Sequence, residues 1–173
     1  MHTALAEVST WVERFAPRIP VGGEVLDLAC GSGRHVRLLA ALGHHVEAVD
    51  RDAAALAQLS GVSNISVRVA DIEHGPWPYS GRRFAGIVVT NYLYRPLLPL
   101  IEGALGDGAV LIYETFALGN ERFGRPTNRD FLLRSQELLD LARAAGLRVI
   151  AFEEGEVAQP KPAMVQRLCA VRD

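Results

Sequence analysis

The sequence predicts an α/β fold with a doubly wound, mostly parallel sheet of the Rossmann-like kind. Short apolar, mostly β-branched segments alternate with segments of helical periodicity over most of the 173 residues. A glycine turn at Gly31 and Gly33 joins the first apolar segment to a helix, which is the arrangement that α/β proteins use to hold a nucleoside-type ligand. Near the carboxyl terminus, two apolar segments are joined by a short link with Pro160 and Pro162, so they must pair antiparallel.

The apolar segments predict seven strands, at 24–29, 45–49, 66–70, 85–90, 109–113, 147–152 and 163–171. Helices are predicted between them at 34–42, 52–60, 95–105 and 136–145, the last capped by Ser135 and ended by Gly146. The stretch 73–83 contains Pro76-Trp77-Pro78 and is too broken for a helix. An amphipathic helix is expected within residues 1–20, with an apolar face of Leu5, Val8, Val12 and Phe15, stopped by Pro17 and Pro20.

Composition predicts one globular domain over residues 1–173, with 49% apolar and 22% charged residues. The net charge of −2 lacks the basic excess that a nucleic-acid or anionic-membrane partner requires. No apolar run reaches the ~20 residues that span a bilayer, and no signal peptide is evident. The two cysteines, Cys30 and Cys169, form neither a disulfide framework nor a metal cluster. We therefore expect a cytoplasmic protein.

The run V-L-D-L-A-C-G-S-G-R-H, from Val25 to His35, is the most informative motif. Without a Cβ, Gly31 and Gly33 let a ligand approach the backbone closely. The free N–H groups at the start of the next helix favour a negative or electron-rich ligand group. Asp50, about 17 residues after Gly33, ends the second apolar segment, and an acid at that offset can accept hydrogen bonds from ribose hydroxyls.

Two ligand classes compete for this motif. A dinucleotide site requires a third glycine, but Val36 occupies that position. The chain instead has an acid, Asp27, four residues before Gly31, and this pattern resembles motif I of the class I S-adenosylmethionine-dependent methyltransferases. It departs from that motif at Ala29, where the family usually has glycine.

The resemblance extends over nearly the whole chain and implies the family's strand order, 3-2-1-4-5-7-6 with the last strand antiparallel. It implies S-adenosylmethionine as cofactor, with the turn around the methionine part, Asp50 on the ribose, Asp71 on the adenine amino group and the Ile72 backbone on a ring nitrogen. Asp27 is expected to contact the cofactor, to brace the turn through backbone N–H groups, or both. The cofactor-binding residues expected on this basis are Asp27, Ala29, Cys30, Gly31, Gly33, Arg34, Asp50, Arg51, Asp71, Ile72, Asn91 and Tyr92.

The fourth strand ends in Thr90-Asn91-Tyr92-Leu93-Tyr94, at the sheet edge where ligands bind in folds of this kind. The Asn91–Tyr94 letters are similar to the N-P-P-Y run of enzymes that methylate amino groups of nucleic acids. Both prolines are absent here, and the charge is unsuited to nucleic acid. Tyr92 or Tyr94 is expected to place its ring near the cationic sulfonium or to pack in the core and shield the adenine.

Residues 116–134 form a long stretch without periodicity, and long loops in compact domains are usually functional or disordered. We expect this acceptor-side loop to cover the acceptor pocket. Its arginines suit an anionic acceptor, although they can equally pair with Glu121, Asp130 and solvent. The expected acceptor-binding residues are Tyr94, Glu114, Arg122, Arg125 and Asn128.

No residue stands out as a general base, and no metal is expected. His35 lies at a helix N-terminus, which disfavours its charged form, so a packing or cofactor-side role is expected. His44, His45 and His74 lack metal-ligand spacing.

The G-S-G-R-H turn and the R-F-G-R-P segment resemble small bacterial methyltransferases related to the tellurite-resistance enzymes, which implies a small-molecule acceptor. The expected function is methyl transfer to such an acceptor, with an anionic one favoured by the loop. The alternatives are a non-catalytic S-adenosylmethionine-binding protein and a nicotinamide-dependent dehydrogenase. The dehydrogenase would need the third glycine and a catalytic His or Tyr/Lys set, yet Lys161 is the only lysine.

Overall fold

The computed structural model describes residues 6–173 and shows a seven-stranded sheet covered on both faces. The strands are β1 (Val25–Leu28), β2 (Val46–Asp50), β3 (Ile65–Val69), β4 (Phe84–Thr90), β5 (Leu105–Phe116), β6 (Arg148–Val157) and β7 (Ala163–Val171). The helices are α1 (Thr10–Phe15), α2 (Arg34–Ala41), α3 (Ala53–Ala57), α4 (Leu98–Gly103) and α5 (Glu137–Ala144). Short 3₁₀ turns lie at Ala16–Arg18, Arg95–Leu97, Asn120–Arg122 and Arg129–Phe131.

The strand order is β3-β2-β1-β4-β5-β7-β6, which confirms the predicted order. The first five strands pair in parallel, and β7 pairs antiparallel with both β5 and β6. The order reverses between β1 and β4, so the carboxyl ends of these two neighbouring strands border the crevice where ligands bind in open α/β sheets.

Two apolar clusters fill the two faces of the sheet, because successive side chains of a strand point to opposite faces. The first contains Leu26 and Leu28 of β1 and packs under α4 and α5. The second contains Val25 of β1, Val46 of β2 and Trp11 of α1. No helix among residues 6–173 is long and apolar enough to cross a membrane.

The amino-terminal helix is shorter than predicted. It begins at Thr10, after Val8, because the Ser9 hydroxyl accepts hydrogen bonds from Trp11 N (3.2 Å) and Val12 N (3.4 Å) and so caps the first turn. Leu5, the first residue of the predicted apolar face, lies outside the described residues.

Predicted helix 95–105 is divided into a 3₁₀ turn and the shorter α4, which ends before Leu105 starts β5. The prolines at Pro96 and Pro99 lack an N–H group and are tolerated only in a first turn, which both occupy here. Helix α3 is also shorter than the predicted 52–60; its amino end is capped by the Asp52 carboxylate.

The predicted Ser135 cap of α5 is wrong. Gln136 is the residue at the cap position, with φ of +59°, and its side chain makes no capping bond. The first turn is instead satisfied from β7, because the Gln166 side chain accepts from Leu138 N (3.1 Å) and donates to the Arg134 carbonyl (2.5 Å). Gln166 is fully buried, so no water replaces these bonds.

Gln166→Met should therefore lower the free energy of unfolding by about 1–3 kcal/mol, since it leaves the buried Leu138 N–H unpaired, while the Arg134 carbonyl keeps its bond from Glu137 N. Urea unfolding followed by circular dichroism measures this change. Gln58→Met on the exposed end of α3 is the matched control and should stay within ~0.5 kcal/mol of the wild type. Equal stabilities for the two variants would contradict the assigned role of Gln166.

Candidate functional site

A cavity of about 160 Å³ lies where the carboxyl ends of β1 to β4 meet. Six of its eight lining residues are among those predicted to bind the cofactor. The cavity therefore brings together the residues predicted to contact the adenosine part of the cofactor. The lining residues are Ala29, Asp50, Arg51, Ala70, Asp71, Ile72, Glu73 and Tyr92. Ala70 and Glu73 were not predicted. Both lie within two positions of Asp71, just after β3, and this closeness in sequence could have indicated them.

The turn after β1 is tightly constrained. Ala29 adopts a left-handed conformation with φ of +54°, which costs a residue with a Cβ roughly 1–2 kcal/mol. Gly33, at φ +81°, is the N-cap residue of α2, and a Cβ there would come within 2.5 Å of the Leu59 side chain. The family-typical glycine at position 29 would thus remove strain that this chain carries.

Asp50 holds the turn in place from the neighbouring strand. Its Oδ2 accepts a hydrogen bond from Gly31 N at 2.8 Å, and its Oδ1 accepts one from Asp52 N at 2.9 Å. Because the carboxylate is fixed at both oxygens and also lines the cavity, it is pre-oriented toward a ligand there.

Asp27 does not brace the turn. The side chain is 1% exposed, and neither carboxyl oxygen has a hydrogen-bond partner among the described residues. Burial raises the pKa of Asp27 to about 8, with Arg34 opposing and Asp50 reinforcing the shift. The bracing role expected from the sequence falls to Asp50, and Asp27 is left as a buried, unpaired acid beneath the turn.

Two predicted cofactor-binding residues near the turn, Cys30 and Arg34, do not line the cavity. The Cys30 thiol is half-buried, and desolvation raises its pKa, so it stays protonated and unreactive. Arg34 donates from Nη1 to the Glu7 carbonyl at 2.7 Å, and so connects the amino-terminal segment to α2.

His35 is buried and neutral, because burial first and Arg34 second lower its pKa to about 3. Its Nε2 accepts from Ser9 N at 3.0 Å, while Nδ1 lies 3.4 Å from the Thr90 hydroxyl. With both ring nitrogens engaged, His35 has a packing role, one of the two that the sequence left open.

Asp71 organises the end of β3. Its Oδ1 accepts from Glu73 N (3.0 Å) and His74 N (3.1 Å), and its Oδ2 lies 3.2 Å from His74 Nδ1. The backbone hydrogen bond from His74 is the largest cause of a lowered Asp71 pKa, so the group is a carboxylate at neutral pH.

A second cavity, of about 350 Å³, adjoins the first and shares Arg51, Glu73 and Tyr92 with it. Asn91, in a left-handed conformation at φ +53°, turns the chain after β4 so that Asn91 and Tyr92 both face this space. The remaining lining residues are Leu93, Thr115, Phe116, Pro126 and Phe131. The acceptor-side loop therefore reaches the second cavity through Phe116, Pro126 and Phe131, and not through its arginines.

None of the five predicted acceptor-binding residues lines either cavity. Glu114 is buried and pairs with Arg167 of β7 at 2.6 Å, while its other oxygen accepts from the Ser9 hydroxyl. Arg122 pairs with Glu156 of β6 at 2.8 Å, a partner that the sequence did not indicate.

The other three predicted acceptor-binding residues lie apart from one another and from both cavities. The Asn128 side chain accepts from Asp130 N at 2.9 Å and caps the second 3₁₀ turn of the loop. Tyr94 packs against the first apolar cluster, and Arg125 is exposed. Within residues 6–173 there is also no group of three His, Cys, Asp or Glu side chains arranged to hold a metal ion.

Asp27→Asn should change how stability depends on pH. A carboxyl whose pKa is higher folded than unfolded stabilises the fold when protonated, and that contribution is lost as pH rises toward 8. The free energy of unfolding of the wild type should therefore fall, relative to Asp27→Asn, by on the order of 1 kcal/mol per pH unit between pH 5 and 8. Urea unfolding at several pH values measures the difference, and parallel curves would contradict the assignment.

Ala29→Gly should raise the free energy of unfolding by about 1 kcal/mol, because glycine adopts the left-handed conformation without strain. The reciprocal control is Gly22→Ala, at φ +72° with open space around the new Cβ, which should lower it by a similar amount. Thermal unfolding of both variants tests the pair. A destabilised Ala29→Gly would show that the turn is not strained.

The comparisons with known proteins agree with this geometry. Residues 25–100, from β1 into α4, match the family described as a methyltransferase domain. No curated protein matches the sequence.

Several solved structures share the fold. TehB from Haemophilus influenzae superimposes with a TM-score of 0.76 at 19% identity, over 99% of this chain and 64% of that one. A TehB-like SAM-dependent methyltransferase from Corynebacterium glutamicum gives 0.67 at 19% identity, over 98% and 91% of the two chains. The 1,6-didemethyltoxoflavin-N1-methyltransferase of Burkholderia thailandensis, solved with its substrate and S-adenosylhomocysteine, gives 0.66 at 18% identity, over 94% and 76%.

The chain spans 64% of the length of the Haemophilus protein, a smaller share than of the other two proteins. At these identities the solved structures establish the fold, and the matched domain covers the strands and turns that build the first cavity. In its matched domain, its strand order and its fold, the chain is similar to S-adenosylmethionine-dependent methyltransferases.

Proposed function

We propose that the protein transfers the methyl group of S-adenosylmethionine to a small-molecule acceptor held in the second cavity. The observation that carries this proposal is the pair of adjoining cavities at the carboxyl edge of the sheet, with Arg51, Glu73 and Tyr92 common to both. Two substrates in neighbouring spaces can react directly, and such positioning supplies up to ~7–11 kcal/mol in ideal cases.

The residues around the first cavity suit the cofactor. Asp50 would accept from the ribose hydroxyls, and Asp71 with the Ile72 backbone would hold the adenine. The unpaired Asp27 carboxyl is the buried acid that a cationic amino group would satisfy. When bound, the cofactor supplies an already activated methyl group, so the chain's contribution is to orient both substrates and to exclude water.

The acceptor is proposed to be small because the second cavity has a volume of about 350 Å³. Related structures point the same way, since the Burkholderia enzyme is named for a small-molecule substrate. The expected anionic acceptor depended on Arg122 and Arg125, neither of which lines the cavity, so the proposal does not retain that charge. The cytoplasmic location stays a prediction.

Isothermal titration calorimetry with S-adenosylhomocysteine and with NAD tests the proposal. S-adenosylhomocysteine should bind and NAD should not, because Val36 replaces the third glycine of a dinucleotide site. Asp50→Ala should weaken binding by roughly 1.5–3 kcal/mol, the scale of hydrogen bonds to a charged group.

The matched control is Asp52→Ala, which removes the same charge two residues away and affects only the cap of α3. Its affinity for S-adenosylhomocysteine should equal that of the wild type. Tight NAD binding without a response to S-adenosylhomocysteine would overturn the proposed function.

A further inference from the structure

Glu73 is the one carboxylate, among the described residues, that lines both cavities. Its position is fixed from two sides. The Glu73 backbone N donates to Asp71 Oδ1 at 3.0 Å, and Glu73 Oε1 accepts from the Tyr92 hydroxyl at 2.9 Å. The carboxylate therefore stands in a set orientation at the boundary between the two spaces.

Tyr92 is itself held rigidly. Its carbonyl accepts a hydrogen bond from the buried Tyr113 hydroxyl at 2.9 Å. Burial, followed by the hydrogen bond to Glu73, raises the pKa of Tyr92, so its phenol stays protonated and donates to Glu73. The contact is thus pre-organised before any ligand enters.

The other acids and the histidine near the site are already engaged. Asp50 and Asp71 each use both oxygens in hydrogen bonds, Glu114 is paired with Arg167, and His35 is bonded at both nitrogens. Glu73 Oε2, in contrast, has no hydrogen bond in the part of the chain that the structure describes. Of these side chains, Glu73 is thus the one with a carboxylate oxygen free to bind an acceptor.

The charge around the two cavities favours a cation. Within residues 6–173, Glu73 is the only acid that lines the second cavity, and the only base there, Arg51, is exposed to solvent. Asp50 and Asp71 add negative charge in the adjoining first cavity. The rest of the second cavity is largely apolar, with two phenylalanines, a leucine and a proline. A small molecule with an apolar body and one positively charged N–H group complements this lining.

Building on the proposed methyl transfer, we propose that Glu73 selects an amine as the acceptor and takes the proton that the amine loses. The ammonium N–H pairs with Oε2 of Glu73 and passes its proton to that oxygen. The freed nitrogen lone pair then forms the N–C bond to the methyl group, while the electrons of the broken S–C bond stay on sulfur. Glu73 later releases the proton to water.

Three probes with the same ring test this selection: 2-phenylethylamine, 2-phenylethanol and phenylacetate, each titrated into the protein saturated with S-adenosylhomocysteine. The amine should bind at least roughly tenfold more tightly than the other two, as expected for a hydrogen-bonded ion pair. Glu73→Gln should abolish that preference. Glu121→Gln, which removes the same charge from the exposed part of the acceptor-side loop, should keep it.

Turnover of the same amine tests the proton step. With S-adenosylmethionine, the wild type should form N-methyl-2-phenylethylamine, detected by mass spectrometry. Glu73→Gln should lower kcat at saturating substrates by about 100-fold, the typical contribution of a general base. Glu121→Gln should leave kcat unchanged.

The outcomes separate the two proposals. Failure of S-adenosylhomocysteine to bind would overturn the proposed function. If S-adenosylhomocysteine binds normally but the amine is not preferred, or if the preference survives in Glu73→Gln, only the proposed selection by Glu73 is overturned. The proposed methyl transfer would then still stand. An amine that binds without being methylated, or an undiminished kcat in Glu73→Gln, would overturn the proton transfer.

Discussion

The hydrogen bond from Gly31 N to Asp50 is the contact on which the site depends. It joins the turn after β1 to the end of β2 and so fixes two consecutive strand ends relative to each other. The same carboxylate lines the first cavity, and a hydrogen bond from Asp52 N to its other oxygen fixes its orientation there. A parallel sheet brings strand ends to one edge, and this bond fixes the shape of the cavity at that edge.

Burial of an unpaired acid is the cost of this arrangement. Asp27 lies beneath the turn with no partner among the described residues, and its pKa of about 8 keeps it largely protonated at neutral pH. Together with the strained Ala29, it destabilises the ligand-free protein. Such local conflicts are expected at functional sites, where stability is given up for a group that a ligand satisfies.

The sequence predicted the parts of the site that local chemistry determines. Asp50 and Asp71 end apolar segments, and the ends of parallel strands must meet, so their positions followed from the pattern. The Tyr92–Glu73 hydrogen bond could not be predicted, because it joins side chains 19 positions apart whose distance depends on how β3 and β4 place their loops.

The ion pairs of two predicted acceptor-binding residues could not be predicted for a related reason. Glu114 and Arg122 are neutralised by Arg167 and Glu156, which lie on β7 and β6 far along the chain. Only the antiparallel pairing of these strands with each other and with β5 brings the partners together.

A crystal structure of the protein with S-adenosylhomocysteine tests the central claim most directly, namely that the edge joined by Asp50 and Gly31 is the cofactor site. We expect the ribose hydroxyls within hydrogen-bond distance of Asp50, the adenine beside Asp71 and Ile72, and the sulfur facing the second cavity. Density for the ligand outside the first cavity, or a ribose without contact to Asp50, would contradict it.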